Sequence, residues 1–364
     1  MSKLIGCGSR ILIAISLVLV GSACALGAER PAGDEGRYFD LRSMERMVGS
    51  GPGASEGSAR ASGFDLFAER QGASAEAETE PEGDGPPLPL HTIEGVGGAL
   101  TVPMAYLVNP GPPGTVIGKP AVSVSFLVIS NKNLLSFAIS ETLFRRIELS
   151  YAFNRFGLGN LPRAIQKASG GALRVRRHEV YLHHFNVRAL VLEENSFGLP
   201  LPAVVVGVQF KVNGGIMGMD DSTGGALTAI GLEKRNGVDF TLHASKMFPT
   251  LAFGRPLILT AGVRNSKASN IGYTGFGDEC LTTVEADVAC LVTDSLAVGY
   301  EFRQKNNPYD VAPGILNDED DWHAIRAAYI VNDHFTIAAA WGYLGPVGNH
   351  LANCAWGIQL KYEF

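Results

Sequence analysis

From Ala121 onward, apolar residues recur at every second position. Val122, Val124, Phe126 and Val128 share one face, as do Leu135, Phe137 and Ile139, and then Ile147, Leu149, Tyr151 and Phe153. The same period runs through Val204–Val212, Val238–Ala244, Leu257–Val263, Val284–Val292, Leu296–Phe302, Ile325–Val331 and Phe335–Tyr343. The final stretch sets Trp356, Ile358, Leu360, Tyr362 and Phe364 against Gly357, Gln359, Lys361 and Glu363. A period of two sends successive side chains to opposite sides of an extended backbone, so each segment predicts a strand with one oily and one wet face. Val175–Leu192 is also strand-like, but both of its faces are mixed. Turn residues separate the segments. The count is roughly twelve strands, in a range of ten to fourteen, each long enough to cross a bilayer when tilted.

The connections support a closed sheet in a membrane. With the C-terminus at the inner side, the turns Phe144–Arg146, Thr293–Ser295 and Asn332–His334 fall inside and are tight. The loops Phe156–Arg177, Asn213–Asn236, Ala268–Leu281 and Asn306–Asp321 fall outside and are long. That sorting is a property of transmembrane barrels, and a soluble sandwich has no reason to adopt it. The predicted fold is all-β, an antiparallel transmembrane β-barrel over residues 120–364. Its last strand, alternating and ending on Phe364, resembles the closing strand that the barrel-assembly machinery of bacterial outer membranes reads. Tyr151, Phe153, Tyr300, Phe302, Trp341, Tyr343 and Trp356 fall near outer strand ends, and Tyr329, Phe335, Tyr362 and Phe364 near inner ones, where aromatic girdles belong.

Gly97–Tyr106 also looks extended, but counting it makes the strand number odd. Residues 91–119 are therefore expected to be a lead-in or plug that caps or enters the lumen. Residues 26–90 are rich in Gly, Ala, Ser, Pro and Glu and predict a disordered periplasmic leader, with a short amphipathic helix over Tyr38–Val48. Residues 1–25 read as an export signal. Lys3 and Arg10 supply charge, Ile11–Val20 the apolar core and Ala23-Cys24-Ala25 the cleavage site. A lipoprotein signal acylated on Cys24 is the alternative, with Gly21 where such signals usually carry Leu. The expected location is the bacterial outer membrane.

Composition agrees. Charged residues make up 18% of 364 and hydrophobic ones 46%, and after the signal no apolar run reaches the length of a spanning helix. A net charge of −6 without a basic stripe argues against nucleic acid. Cys280, Cys290 and Cys354 match no metal spacing. Cys290 lies on an apolar strand face, and a Cys280–Cys354 bridge is a further expectation. No cofactor is expected, and the partners expected are outer-membrane lipids and the assembly machinery.

Opposite the apolar faces stand Glu148, Lys211, Asp239, His243, Arg264, Glu285, Asp287, Glu301, Arg303, Arg326, Lys361 and Glu363. A charge facing lipid at the midplane costs roughly 2–4 kcal/mol, so these side chains belong in the lumen. In the hairpin around Asp294, a register that avoids like charges side by side places Asp287 opposite Arg303. His243-Ala-Ser245 resembles the His-x-Ser pair of outer-membrane phospholipases, yet both fall on the lumen side and the following pair is Lys246-Met247. Asp318–Asp321 is an acidic loop run that is either solvated or holds a divalent ion. His183 and His184 point to opposite faces.

The stretches His91-Thr-Ile-Glu-Gly, Arg146-Ile-Glu-Leu-Ser-Tyr-Ala-Phe-Asn-Arg-Phe, Leu296-Ala-Val-Gly-Tyr-Glu-Phe-Arg-Gln-Lys and the Phe364 terminus resemble an uncharacterised domain-of-unknown-function family of Gram-negative outer-membrane barrels. The resemblance covers roughly Thr92–Phe364 in order and spacing; the long leader and the insert around Gly157–Arg177 depart from it. It implies barrel and location, and the family has no activity to transfer. The functional expectation is a passive channel or transport protein for small solutes, with lumen charges setting preference. The alternatives are a closed structural or surface-interaction barrel and, third, a lipid-active enzyme.

Overall fold

The computed structural model describes residues 88–364. The signal, the possible lipidation at Cys24, the Tyr38–Val48 helix and the leader up to residue 87 lie outside the described residues.

Two short strands, β1 (Leu90–His91) and β2 (Gly97–Gly98), pair with each other. They precede β3 (Ala121–Ile129), β4 (Lys132–Leu143), β5 (Ile147–Gly157), β6 (Glu179–Leu192), β7 (Ala203–Gly214), β8 (Asn236–Ala252), β9 (Arg255–Ala268), β10 (Phe276–Thr293), β11 (Leu296–Arg303), β12 (Trp322–Ile330) and β13 (Phe335–Tyr343). After a short pair, β14 (Pro346–Val347) and β15 (His350–Leu351), comes β16 (Ala355–Glu363). β3–β13 and β16 form one closed ring of twelve antiparallel strands. The last strand closes on the first: Trp356, Ile358, Leu360 and Tyr362 stand opposite Val128, Phe126, Val124 and Val122 outside, and Gln359 and Lys361 opposite Ser125 and Ser123 inside. Register follows pattern here, because a one-residue slip would turn the oily faces inward.

Outward positions such as Phe126, Phe137, Leu149, Phe185, Val208, Leu242, Val288, Ile325 and Ile358 are exposed all round the cylinder, while the alternate positions are buried. An apolar surface of that extent with charge confined inside is stable in hydrocarbon and not in water. The sheet is a transmembrane barrel.

The β10–β11 hairpin departs from the expected register. Glu285 pairs with Arg303 and Asp287 with Glu301, with a bulge between Leu291 and Thr293. The two carboxylates stand side by side because Arg326, from the third strand, reaches both: Nη2 donates to Asp287 at 3.0 Å, and Nη1 lies against Asp287 and 3.5 Å from Glu301. Gly299, opposite Arg326, makes the room; a Cβ there would lie 2.7 Å from the guanidinium carbon. The expected Asp287–Arg303 pair is therefore absent.

Other details differ too. β10 starts at Phe276, shortening the expected Ala268–Leu281 loop. The sorting of loops has two exceptions: the tight turn at 130–131 lies at the long-loop end, and the longer 193–202 connection at the other. Cys280, Cys290 and Cys354 are free, so the Cys280–Cys354 bridge does not form; Cys354 instead accepts the Trp341 indole N–H at 3.3 Å.

The long loops fold into the barrel mouth. They carry helices α1 (Leu161–Ala168), α2 (Ile216–Ser222) and α3 (Ala226–Ala229). Leu161, Ile165, Ile216, Met219, Tyr273, Leu316 and Val347 form one buried apolar cap with Leu134, Phe156 and Leu182 of the wall. Phe156 and Tyr273 stack there at 4.4 Å.

Candidate functional site

Below the cap the lumen is filled by the chain itself. Every residue from Pro89 to Asn109 is buried. The segment is rich in Leu, Ile, Val and Ala, so few of its side chains can satisfy its own backbone, and a buried amide without a partner is costly. The wall supplies acceptors. Glu301 takes the N–H groups of Leu100 (3.1 Å), Thr101 (2.6 Å) and Val102 (3.1 Å), together with the Thr101 hydroxyl at 2.7 Å. Glu148 accepts from Gly97 N–H at 3.0 Å and Val108 N–H at 2.9 Å. Ser245 Oγ accepts from Ala105 N–H at 2.8 Å. Arg188 donates to the carbonyls of Met104 (2.7 Å) and Tyr106 (3.3 Å), and Lys361 to that of Pro89. Gln359 holds His91 from both sides, accepting its N–H at 3.3 Å and donating to its carbonyl at 2.7 Å.

One plug carboxylate enters the wall's charge network. Glu94 lies 2.5 Å from Lys211, 3.1 Å from Arg264 and 2.8 Å from Arg303. Those cations also meet Asp239, 2.6 Å from Lys211 and 2.9 Å from Arg264, and Glu285, 2.7 Å from Arg264 and 3.1 Å from Arg303. Three cations face three carboxylates, and one of the three comes from the plug. Without Glu94 the wall would hold an uncompensated buried positive charge. A second pair, Glu148–Arg188, lies at 2.6 Å, and a third group joins Asp287, Glu301 and Arg326. Lys361 meets Glu363 at 2.5 Å.

The His91-Thr-Ile-Glu-Gly stretch packs directly against the wall. The His91 ring bonds Ser123 at 3.0 Å and Ser140 at 2.8 Å, and the Ile93 carbonyl accepts from Asn154 at 3.0 Å. Gly95 turns at φ +91°, and a Cβ there would fall 2.7 Å from the Ala152 side chain, so only glycine lets the chain pass this close.

Glu148, Lys211, Asp239, Arg264, Glu285, Asp287, Glu301, Arg303 and Lys361 all lie buried inside the ring. The sequence pattern omitted Glu94 and Arg188. Glu94 was signalled by an acid within an apolar run, and Arg188 by its even-numbered place on β6, shared with His184 and Asn186.

The remaining candidates separate. His243 bonds Glu285 at 2.8 Å, while Ser245 bonds Thr260 at 2.8 Å; both are buried in the lumen, away from lipid. His184 is buried, and His183 lies outside against the Tyr151 hydroxyl at 2.8 Å. In the 318–321 run, Glu319 meets Lys305 at 3.0 Å, Asp320 accepts from the Tyr343 hydroxyl at 2.5 Å and Asp321 from the Lys305 amide at 2.9 Å. Among the described residues, no group of three or more His, Cys, Asp or Glu is placed to hold a metal ion.

Voids beside the plug measure about 40 Å³ between Ile93, Phe156 and Trp322, about 50 Å³ between Leu90, Met104 and Ile258, and about 20 Å³ beside Arg264 and Arg303. Each has space for roughly one water to a few.

By structure the chain is similar to the KdgM porin, at 8% identity and a TM-score of 0.42, covering 67% of this chain and 99% of that one. It is similar to LpxR from Salmonella typhimurium, at 12% and 0.42, covering 67% and 100%. It is also similar to the Acinetobacter baumannii outer membrane protein Omp33, at 9% and 0.39, covering 68% and 99%. No substrate or reaction passes from these proteins to this chain. No curated protein matches it. The family model described as "Protein of unknown function (DUF3034)" matches residues 89–360, from the first plug residue to within the last strand, and the chain belongs to that family.

Proposed function

We propose that this is a bacterial outer-membrane β-barrel that is closed by its own residues 89–109 and works as a structural or surface-interaction barrel rather than as an open channel. One observation carries the reading: the plug supplies a charge that the wall needs. Glu94 completes the balance of Lys211, Arg264 and Arg303, and Glu148 and Glu301 accept five plug backbone amides between them. Withdrawal of the segment would leave those groups unpaired in a narrow lumen.

A channel for small solutes is the second reading, favoured by the wall itself: behind the plug stand charges of both signs, which would line a polar conduit if the segment withdrew. A lipid hydrolase is not supported by His243 and Ser245, whose partners are Glu285, Thr260 and the plug.

Planar-bilayer recording of the full-length mature protein separates the readings. The closed barrel gives no conductance steps at ±100 mV (roughly 2.3 kcal/mol per charge moved across the membrane). Regular steps from the wild-type protein would overturn it in favour of the channel.

A further inference from the structure

The loop from β5 to β6 is strongly cationic. From Arg155 to His178 stand Arg155, Arg163, Lys167, Arg174, Arg176 and Arg177, with no Asp or Glu between them. All six are exposed. Arg155 lies 3.7 Å from Glu179; among the described residues the other five make no ion pair. The loop is nonetheless fixed, because Leu161, Ile165 and Val175 anchor it in the apolar cap.

Its position relative to the bilayer gives these charges meaning. The outward faces of β5 and β6 carry Tyr151, Phe153, Tyr181, His183 and Phe185, with Phe153 and Tyr181 stacked at 5.8 Å. Aromatic rings of this kind sit at the level of lipid headgroups. Arg155 is the next outward position after Phe153 and pairs across the ladder with Tyr181, so the cations begin where the aromatics end. The exposed acids at this end lie on other connections: Asp221 and Glu233 between β7 and β8, Asp278 and Glu279 at the start of β10, and Asp310, Asp318 and Asp320 between β11 and β12, diametrically across the twelve-strand ring. The β5–β6 connection itself carries no acid, and Glu179 at the start of β6 makes its ion pair with Arg155.

We propose that the β5–β6 rim docks phosphate-bearing lipid headgroups of the surrounding leaflet, with Arg174, Arg176 and Arg177 as the principal donors. Guanidinium groups match phosphate oxygens two bonds at a time, and the aromatic belt below receives the acyl chains. The inference rests on the barrel's placement in an outer membrane, but not on whether its lumen conducts.

The test uses the full-length protein in nanodiscs of zwitterionic lipid, titrated with fluorescent bis-phosphorylated lipid A and with its dephosphorylated form. The wild type is expected to prefer the phosphorylated lipid. Each cation near an anionic headgroup contributes about fivefold in affinity, so Arg174→Gln/Arg176→Gln/Arg177→Gln loses on the order of a hundredfold. The matching triple Lys variant keeps most of the preference. Heat-modifiable gel mobility reports that each barrel is folded. Equal wild-type affinity for the two lipids overturns the proposal, as does an unchanged affinity in a folded triple Gln variant. Displacement of the lipid by millimolar inorganic phosphate also overturns it, because the site would then take a free anion. A conducting lumen would alter none of these results, so the two readings fail separately.

Discussion

Glu94→Gln is the most informative single substitution. Gln keeps the volume, so no cavity forms; its one amide oxygen can still accept from two of the three cations, while the charge and one accepting oxygen are lost. Glu94 is fully buried and lies within 3.1 Å of Lys211, Arg264 and Arg303. Its loss leaves three cations against Asp239 and Glu285. Removing one partner from a buried ionic group costs about 3–5 kcal/mol, because the remaining charge cannot return to water. With a urea slope of about 1–3 kcal/mol per molar, the unfolding midpoint falls by at least about 1 M. The assay is urea unfolding of the barrel in detergent, followed by gel mobility and by protease cleavage within residues 88–119. A second substitution separates charge from packing: Lys211→Met added to Glu94→Gln restores two cations against two carboxylates. The pair is expected to be less destabilised than the sum of the singles by at least about 1.5 kcal/mol. A Glu94→Gln barrel within about 0.5 kcal/mol of wild type, or simple additivity with Lys211→Met, would refute the charge-balance account.

Three further outcomes are expected. Arg188→Met strands buried Glu148 and frees two plug carbonyls, costing about 3–5 kcal/mol in the same urea titration. Gly95→Ala forces a side chain into a positive φ against Ala152, costing at least about 1–3 kcal/mol and exposing the plug to protease. Val208→Arg, on the lipid face, costs about 2–4 kcal/mol when the barrel is refolded into vesicles, a loss that would be absent if this face met water.

The strands were legible because a period of two is a local signal, and lipid on one side with charge on the other makes it strong. Closure followed the same pattern, since β16 meets β3 with Trp356, Ile358, Leu360 and Tyr362 against Val128, Phe126, Val124 and Val122. What failed was what depends on a third element. The Asp287–Arg303 pair was inferred from two strands alone, but Arg326 on the next strand makes adjacent Asp287 and Glu301 acceptable. Arg188 was hidden because the inward face of β6 changes character along its length: Val180 and Leu182 join the apolar cap, while His184, Asn186 and Arg188 face the plug. Glu94 was passed over because a lead-in segment has no periodic pattern, and its role exists only once the wall closes around it.

The account's central claim is that hydrocarbon surrounds a cylinder whose interior is packed with its own chain. Backbone hydrogen exchange of residues 97–108, on the full-length protein in lipid nanodiscs, tests it most directly. The amides of Gly97, Leu100, Thr101, Val102, Ala105 and Val108 are bonded to Glu148, Glu301 and Ser245. They are expected to exchange as slowly as those of the barrel strands. Exchange at the rate of an unstructured peptide would mean that the lumen is not filled by this segment, and would contradict the account.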